Sequence, residues 1–158
     1  MSIEKLSSIW PKWKVVKQLG EGSFGKVYKV ERNEHTLTSY SAVKVISIPQ
    51  SNAELESMRA EGLSKHGVLS YFEGIVTDFI NEIKLMESMK GTTNIVSIED
   101  YIVVEKNEEV GWDIFIRMEL LTPLNSYIVD KKLSEAENGM VWHVFVHPPN
   151  TRLWIHGS

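Results

Sequence analysis

Leu19-Gly20-Glu21-Gly22-Ser23-Phe24-Gly25-Lys26-Val27, followed by Ala42-Val43-Lys44, is the stretch on which the fold of this chain turns. Gly20, Gly22 and Gly25 fit G-x-G-x-x-G, with a valine two residues on. Glycine lets the backbone turn tightly and approach a ligand with no Cβ in the way. Exposed N–H groups in such a loop donate to phosphate oxygens. Glycine-rich turns are common, so the flanks must discriminate. A dinucleotide-binding elbow opens a helix at the third glycine and places an acid about 20 residues on. Here Trp13-Lys14-Val15-Val16-Lys17-Gln18-Leu19 and Lys26-Val27-Tyr28-Lys29-Val30-Glu31 both read as strands, with β-branched and aromatic residues interleaved with charge. Strand, glycine loop, strand is a hairpin.

The next segment sharpens the reading. Tyr40-Ser41-Ala42-Val43-Lys44-Val45-Ile46-Ser47-Ile48 predicts a third strand. At period two, Ala42 and Lys44 share one face, and Val43, Val45 and Ser47 share the other. A lysine beside a small alanine is a sparse, pocket-facing arrangement. Glycine hairpin plus strand lysine resembles the small lobe of a eukaryotic-type (bacterial-like) serine/threonine protein kinase. The resemblance runs from about residue 10 to residue 138.

That resemblance implies an α+β small lobe: a five-stranded antiparallel sheet, a long helix of αC type and an extra helical insertion. A hinge, the start of a large lobe and an atypical tail follow. Residues 1–12 are a lead-in, 13–124 the small lobe with its hinge (insertion about 49–67), 125–138 the start of the large lobe, and 139–158 the tail. The implied ligand is ATP. Leu19, Gly20, Glu21, Gly22, Ser23, Phe24, Gly25, Lys26 and Val27 form the phosphate-covering hairpin. Lys44 holds the α- and β-phosphates, and Glu82 orients Lys44 through an ion pair. Val27 and Ala42 cover the adenine ring, Met118 guards the back pocket, and Glu119 and Leu121 offer a carbonyl and an amide to adenine. Transfer of the ATP γ-phosphoryl group to a protein Ser or Thr is the family's reaction. Mg²⁺ is expected for the intact family, but the asparagine and aspartate that hold it, and the catalytic aspartate, belong to H-R-D and D-F-G motifs. Neither motif occurs in these 158 residues. Thr77-Asp78-Phe79 superficially resembles the second, but isoleucine follows and the segment reads as helix.

Composition fits one domain with its own core. A net charge of −4 leaves no nucleic-acid footprint. Without cysteine there is no disulfide frame or Cys-based zinc site. No apolar run approaches the roughly 20 residues of a membrane span, and Met1-Ser2-Ile3-Glu4-Lys5-Leu6 is not a secretory signal. The expectation is a cytoplasmic protein whose partner, in the intact family, is a protein substrate.

Strands are predicted near 13–21, 24–33 and 38–48, with Trp10 and Trp13 packing on the first sheet. His35 reads as a solvated turn residue. Asn52 is the expected cap of a helix from Ala53 to about Lys65, and a second helix spans roughly Val68 to Lys90. In the latter, Phe72, Ile75, Val76, Phe79, Ile80, Ile83, Met86 and Met89 recur at intervals of three and four. Glu82 lies among them as the expected partner of Lys44, with Glu73 and Glu87 as fallbacks. Fourth and fifth strands follow at Asn94–Val104 and Trp112–Glu119, and Pro123 ends pairing because it has no N–H. A short helix over Leu124–Asp130 and a helix start at Ser134-Glu135-Ala136-Glu137 are expected.

Composition then changes abruptly near Asn138. Residues 139–158 hold one charged residue, Arg152, against 37 of the 38 in residues 1–138. His143, His147, His156, Trp142 and Trp154 crowd this stretch, and Pro148-Pro149 excludes a continuous helix. A frameshifted or misjoined reading frame is the favoured account, ahead of truncation or a native tail. His143 and His147 have no nearby acid or cysteine to complete a metal site. The competing functional classes are an ATP-binding kinase small lobe, a non-catalytic nucleotide-binding regulatory module and a non-functional fragment.

Overall fold

Alternation of β-branched, aromatic and charged residues through the first third of the chain produces three consecutive strands: β1 (Lys14–Gly22), β2 (Gly25–Glu34) and β3 (Leu37–Ile48). The computed structural model describes residues 3–22, 25–92, 95–106 and 110–121. The chain divides into two compact units, Met1–Glu119 and Leu120–Ser158. The expected segments beyond Leu121, including the helices at 124–130 and 134 onward and the tail, lie outside the described residues.

The first unit is α+β. A 3₁₀ turn (Ile3–Lys5) and α1 (Leu6–Ile9) precede β1, and α2 (Asn52–Ala60) and α3 (Lys65–Ser88) follow β3. β4 (Ile98–Glu105) and β5 (Trp112–Met118) complete a five-stranded sheet ordered β1-β2-β3-β5-β4. Every neighbouring pair is antiparallel. β3 and β5 are therefore interior and hold the fully buried Val43, Val45, Ile114 and Phe115. β1 is an edge strand, and all nine of its residues are exposed.

Register divides the sheet into two faces. Val43 opposes Arg117, Val45 opposes Phe115, and Ser47 opposes Asp113. This face is covered by the start of the chain: Leu6 and Trp13 join Val30, Val43, Val45 and Phe115 in one cluster, with Trp10 against it. The sequence marked residues 1–12 as a lead-in, with Trp10 and Trp13 packing on the sheet, and both do so. The lead-in forms a helical cover, because Ile3, Leu6, Ile9 and Trp10 recur at helical spacing and pack there. On the other face Ala42 opposes Met118, Lys44 opposes Ile116, and Ile46 opposes Ile114. α3 lies against β3 and β4. It buries Val68, Phe72, Val76, Phe79, Ile83 and Met86, again at intervals of three and four. Each such side chain contributes about 1.5–3 kcal/mol of transfer free energy, so α3 is held by packing rather than by helix propensity.

The helix boundaries correct the sequence reading in three places. The cap of α2 is Ser51 rather than Asn52: its hydroxyl accepts from the Glu54 amide at 3.4 Å. Glu54 returns the favour, its carboxylate accepting from the Gln50 amide at 3.0 Å. α2 ends at Ala60, short of Lys65, because Gly62 adopts φ 87° and the Leu63 amide closes back on the Met58 carbonyl. α3 starts at Lys65, ahead of Val68, because Ser64 caps it through the Gly67 amide at 3.1 Å. β4 begins at Ile98, with residues 95–97 outside it and the expected start at Asn94 outside the described residues, and β5 ends at Met118 rather than Glu119. Ser51→Ala is expected to lower unfolding stability by about 1 kcal/mol. Urea melts would show this as a lower midpoint at unchanged slope; an unchanged midpoint would mean the cap is idle.

Candidate functional site

β1 and β2 pair out to Gly22 opposite Gly25. The two residues between, Ser23 and Phe24, lie outside the described residues. The three glycines of the motif differ in what they do. A Cβ on Gly25, where φ is 149°, would sit 2.1 Å from the Val45 carbonyl oxygen. Gly25 is thus demanded by close approach of β2 to β3. A Cβ on Gly20 or Gly22 would meet nothing within 4 Å. Chain packing gives no reason for glycine at either position, and both leave open backbone on an exposed strand.

A row of cross-strand partners leads inward from this hairpin. Gly20 opposes Val27, Val27 opposes Lys44, Lys44 opposes Ile116, and Ile116 opposes Tyr101. Lys44 therefore stands on an interior strand, flanked in register by two β-branched apolar residues. One register step away, Ala42 opposes Met118 on one side and Lys29 on the other. Ala42 is buried, while Val27 and Met118 are half-buried. Lys29 rests its ammonium over the Tyr40 ring at 4.1 Å.

Burial holds the Lys44 ammonium below the ordinary lysine range, and the Glu82 carboxylate works against that shift. The sign of each effect follows from charge: desolvation disfavours the cation and a neighbouring anion restores it. Glu82 reaches Lys44 from α3, where it borders the buried stripe between Phe79 and Met86 and is itself half-buried. Glu73 and Glu87 are exposed on the same helix. The way the helix lies on the sheet turns the Glu82 flank of its apolar stripe toward Lys44.

The remaining candidates of the first unit spread along the same region. Leu19 is exposed on β1, and Glu21 faces Lys26 across the hairpin with Oε1 and Nζ 3.6 Å apart. Met118 ends β5 between Ala42 and Ile98. Glu119 is tied twice to Ser97: its amide donates to the Ser97 carbonyl at 3.0 Å, and its carboxylate accepts from the Ser97 amide at 2.7 Å. Leu121 belongs to the second unit and is exposed. Ile116, Ile98 and Ser97 were not singled out from sequence. Cross-strand register brings them here, and register is not written in the local pattern of any one strand.

Among the described residues, no group of three or more His, Cys, Asp or Glu side chains is placed to hold a metal ion. No helix among them is long and apolar enough to cross a membrane. Neither protein-family models nor curated proteins give a match to this sequence.

Proposed function

We propose that this chain is the ATP-binding small lobe of a serine/threonine protein kinase of the eukaryotic type. The observation that carries the reading is Lys44: a lysine half-buried on an interior strand, electrostatically supported by Glu82 of the packed helix and in register with a glycine hairpin. Retaining a buried cation is costly unless it has an anionic partner or ligand. In this reading Gly20 and Gly22 expose amides to the phosphates, and Lys44 holds the α- and β-phosphates. Val27, Ala42 and Met118 form the apolar face for adenine, while the Glu119 carbonyl meets its edge. Leu19 closes the face from β1, and Gly25, with the Glu21–Lys26 pair, shapes the hairpin.

The donor set suits a nucleotide's phosphates and base. Mg²⁺ ligands belong to the motifs expected of the intact family. ATP supplies a transferable γ-phosphoryl group. Without H-R-D or D-F-G in its 158 residues, the chain is proposed to bind nucleotide without transferring phosphate by itself. In the intact family the acceptor is a protein Ser or Thr, and a cytoplasmic setting goes with that role. A second reading, a regulatory module that senses nucleotide without catalysis, rests on the same nucleotide face.

Titration calorimetry of the full chain with ATP tests the proposal. Saturable one-to-one heat that ADP competes away is expected. A flat titration up to millimolar ATP sinks both readings. Phosphate transfer at ordinary kinase rates overturns the non-catalytic assignment.

A further inference from the structure

Arg117 is the residue before Met118, on the opposite face of the sheet. Its guanidinium lies 4.8 Å from the centre of the Trp13 ring and 5.5 Å from that of Trp10. It also pairs with the Glu99 carboxylate and lies 3.9 Å from that of Asp100, both on β4. Trp10 Nε1 donates to Asp100 at 2.8 Å, closing a ring of lead-in, β5 and β4. Arg32 of β2 approaches the Trp13 ring at 5.2 Å. The segment is pinned at its other end by Leu6, 2% exposed, and by Lys5 to the buried Asp113 at 3.3 Å.

A planar guanidinium stacked on indole and paired with carboxylates is fixed in direction as well as in place. A strand peptide joins Arg117 to Met118, so what fixes one constrains the other. Met118 is in register with Ala42, and Glu119 is tied to Ser97. We propose that residues 3–13 are a positioning strap: Trp10 and Trp13 fix Arg117 from above, and through it hold Met118 and Glu119 in the geometry that the nucleotide face needs. The strap's link to ligand affinity rests on the nucleotide reading given above; its mechanical action on the end of β5 does not. Neither tryptophan is a catalytic residue, since both lie across the sheet from the site.

Three full-length variants separate the strap from a general clamp on the sheet. Trp10→Ala removes one of the two stacked rings and the bond to Asp100. Trp10→Phe keeps a ring over Arg117, and Arg117→Lys keeps charge without a planar stack. The readouts are amide exchange along the chain and ATP affinity by calorimetry. Trp10→Ala and Arg117→Lys are expected to speed exchange at Ile116–Glu119 about fivefold, the size of one partly desolvated cation–π contact. Phe79–Met86 of α3, packed on the other face of the sheet, should stay within about twofold of the parent. Trp10→Phe should change both regions by less than about twofold. ATP affinity should fall about fivefold in Trp10→Ala and Arg117→Lys and hold in Trp10→Phe. An equal rise at Phe79–Met86, or none at Ile116–Glu119, overturns the strap. A parent that binds ATP with unchanged affinity in Trp10→Ala overturns its link to the site. A parent that does not bind ATP ends the nucleotide reading, while exchange still decides the strap.

Discussion

Gly25→Ala is expected to destabilise the first unit by about 3 kcal/mol. Two terms add: a side chain forced into sparsely allowed backbone, about 1–3 kcal/mol, and overpacking against neighbouring atoms, again about 1–3 kcal/mol. The overpacked neighbour is backbone, with the new Cβ 2.1 Å from the Val45 oxygen and 3.0 Å from its carbonyl carbon. Backbone in the middle of an interior strand has nowhere to go. Lys26 opposite Val45 and Val27 opposite Lys44 are the next pairs in register, so relief by local unpairing would displace the lysine. Gly22→Ala is the matched control. Its Cβ has open space, and stability should stay within about 0.5 kcal/mol. On the proposed nucleotide reading ATP affinity should nonetheless drop, because the methyl group would stand in the path proposed for phosphate. Urea midpoints and calorimetry on the two variants give opposite patterns if this division is right. Equal stability losses would mean that the glycines share one structural role.

Lys44→Met is expected to weaken ATP binding about 10–100-fold, the loss of one charge-assisted contact worth about 1.5–3 kcal/mol. Stability should move the other way, by about +1 kcal/mol, because a desolvated cation gives way to an apolar side chain of similar length. Glu82, being half-buried, keeps access to water after its partner is gone. A pH signature accompanies this. In the folded chain Lys44 releases its proton at lower pH than in the unfolded chain. Between the two values the unfolded state binds more protons, so stability rises with pH there. The window lies just below the ordinary lysine value of about 10.4, and beneath it the penalty is fully present. Lys44→Met should flatten that alkaline rise. Unchanged ATP affinity in this variant would falsify the role given to Lys44.

Local pattern carried much of this architecture. Period-two alternation marked β1, β2 and β3 to within a residue or two, and the recurrence of Phe72, Val76, Phe79, Ile83 and Met86 marked the buried side of α3. Cap chemistry was harder. Ser51 and Asn52 are adjacent and both good caps, and it is the Glu54 amide's bond to the Ser51 hydroxyl that distinguishes them. The choice among glutamates on α3 was harder still. At 100° per residue, Glu82 lies on one flank of the apolar stripe and Glu73 and Glu87 on the other. The stripe alone does not say which flank meets β3. That depends on how the helix lies on the sheet, a property of the assembled unit. For the same reason the clasp around Arg117 could not be read. Its members come from residues 10, 13, 99, 100 and 117, and no sequence window holds them together.

β1 adds no buried side chain to the core. What keeps it in place is its backbone ladder with β2, interrupted by two irregularities, between Val15 and Lys17 and between Gln18 and Gly20. Detaching it sacrifices a few peptide hydrogen bonds and almost no apolar contact, whereas displacing β3 dismantles the core. A guest beneath the hairpin would thus meet a floor already set and a roof it must hold down itself. Part of its binding energy would go into quieting the roof, so affinity at this site would depend on how β1 breathes as well as on the contacts drawn between guest and protein.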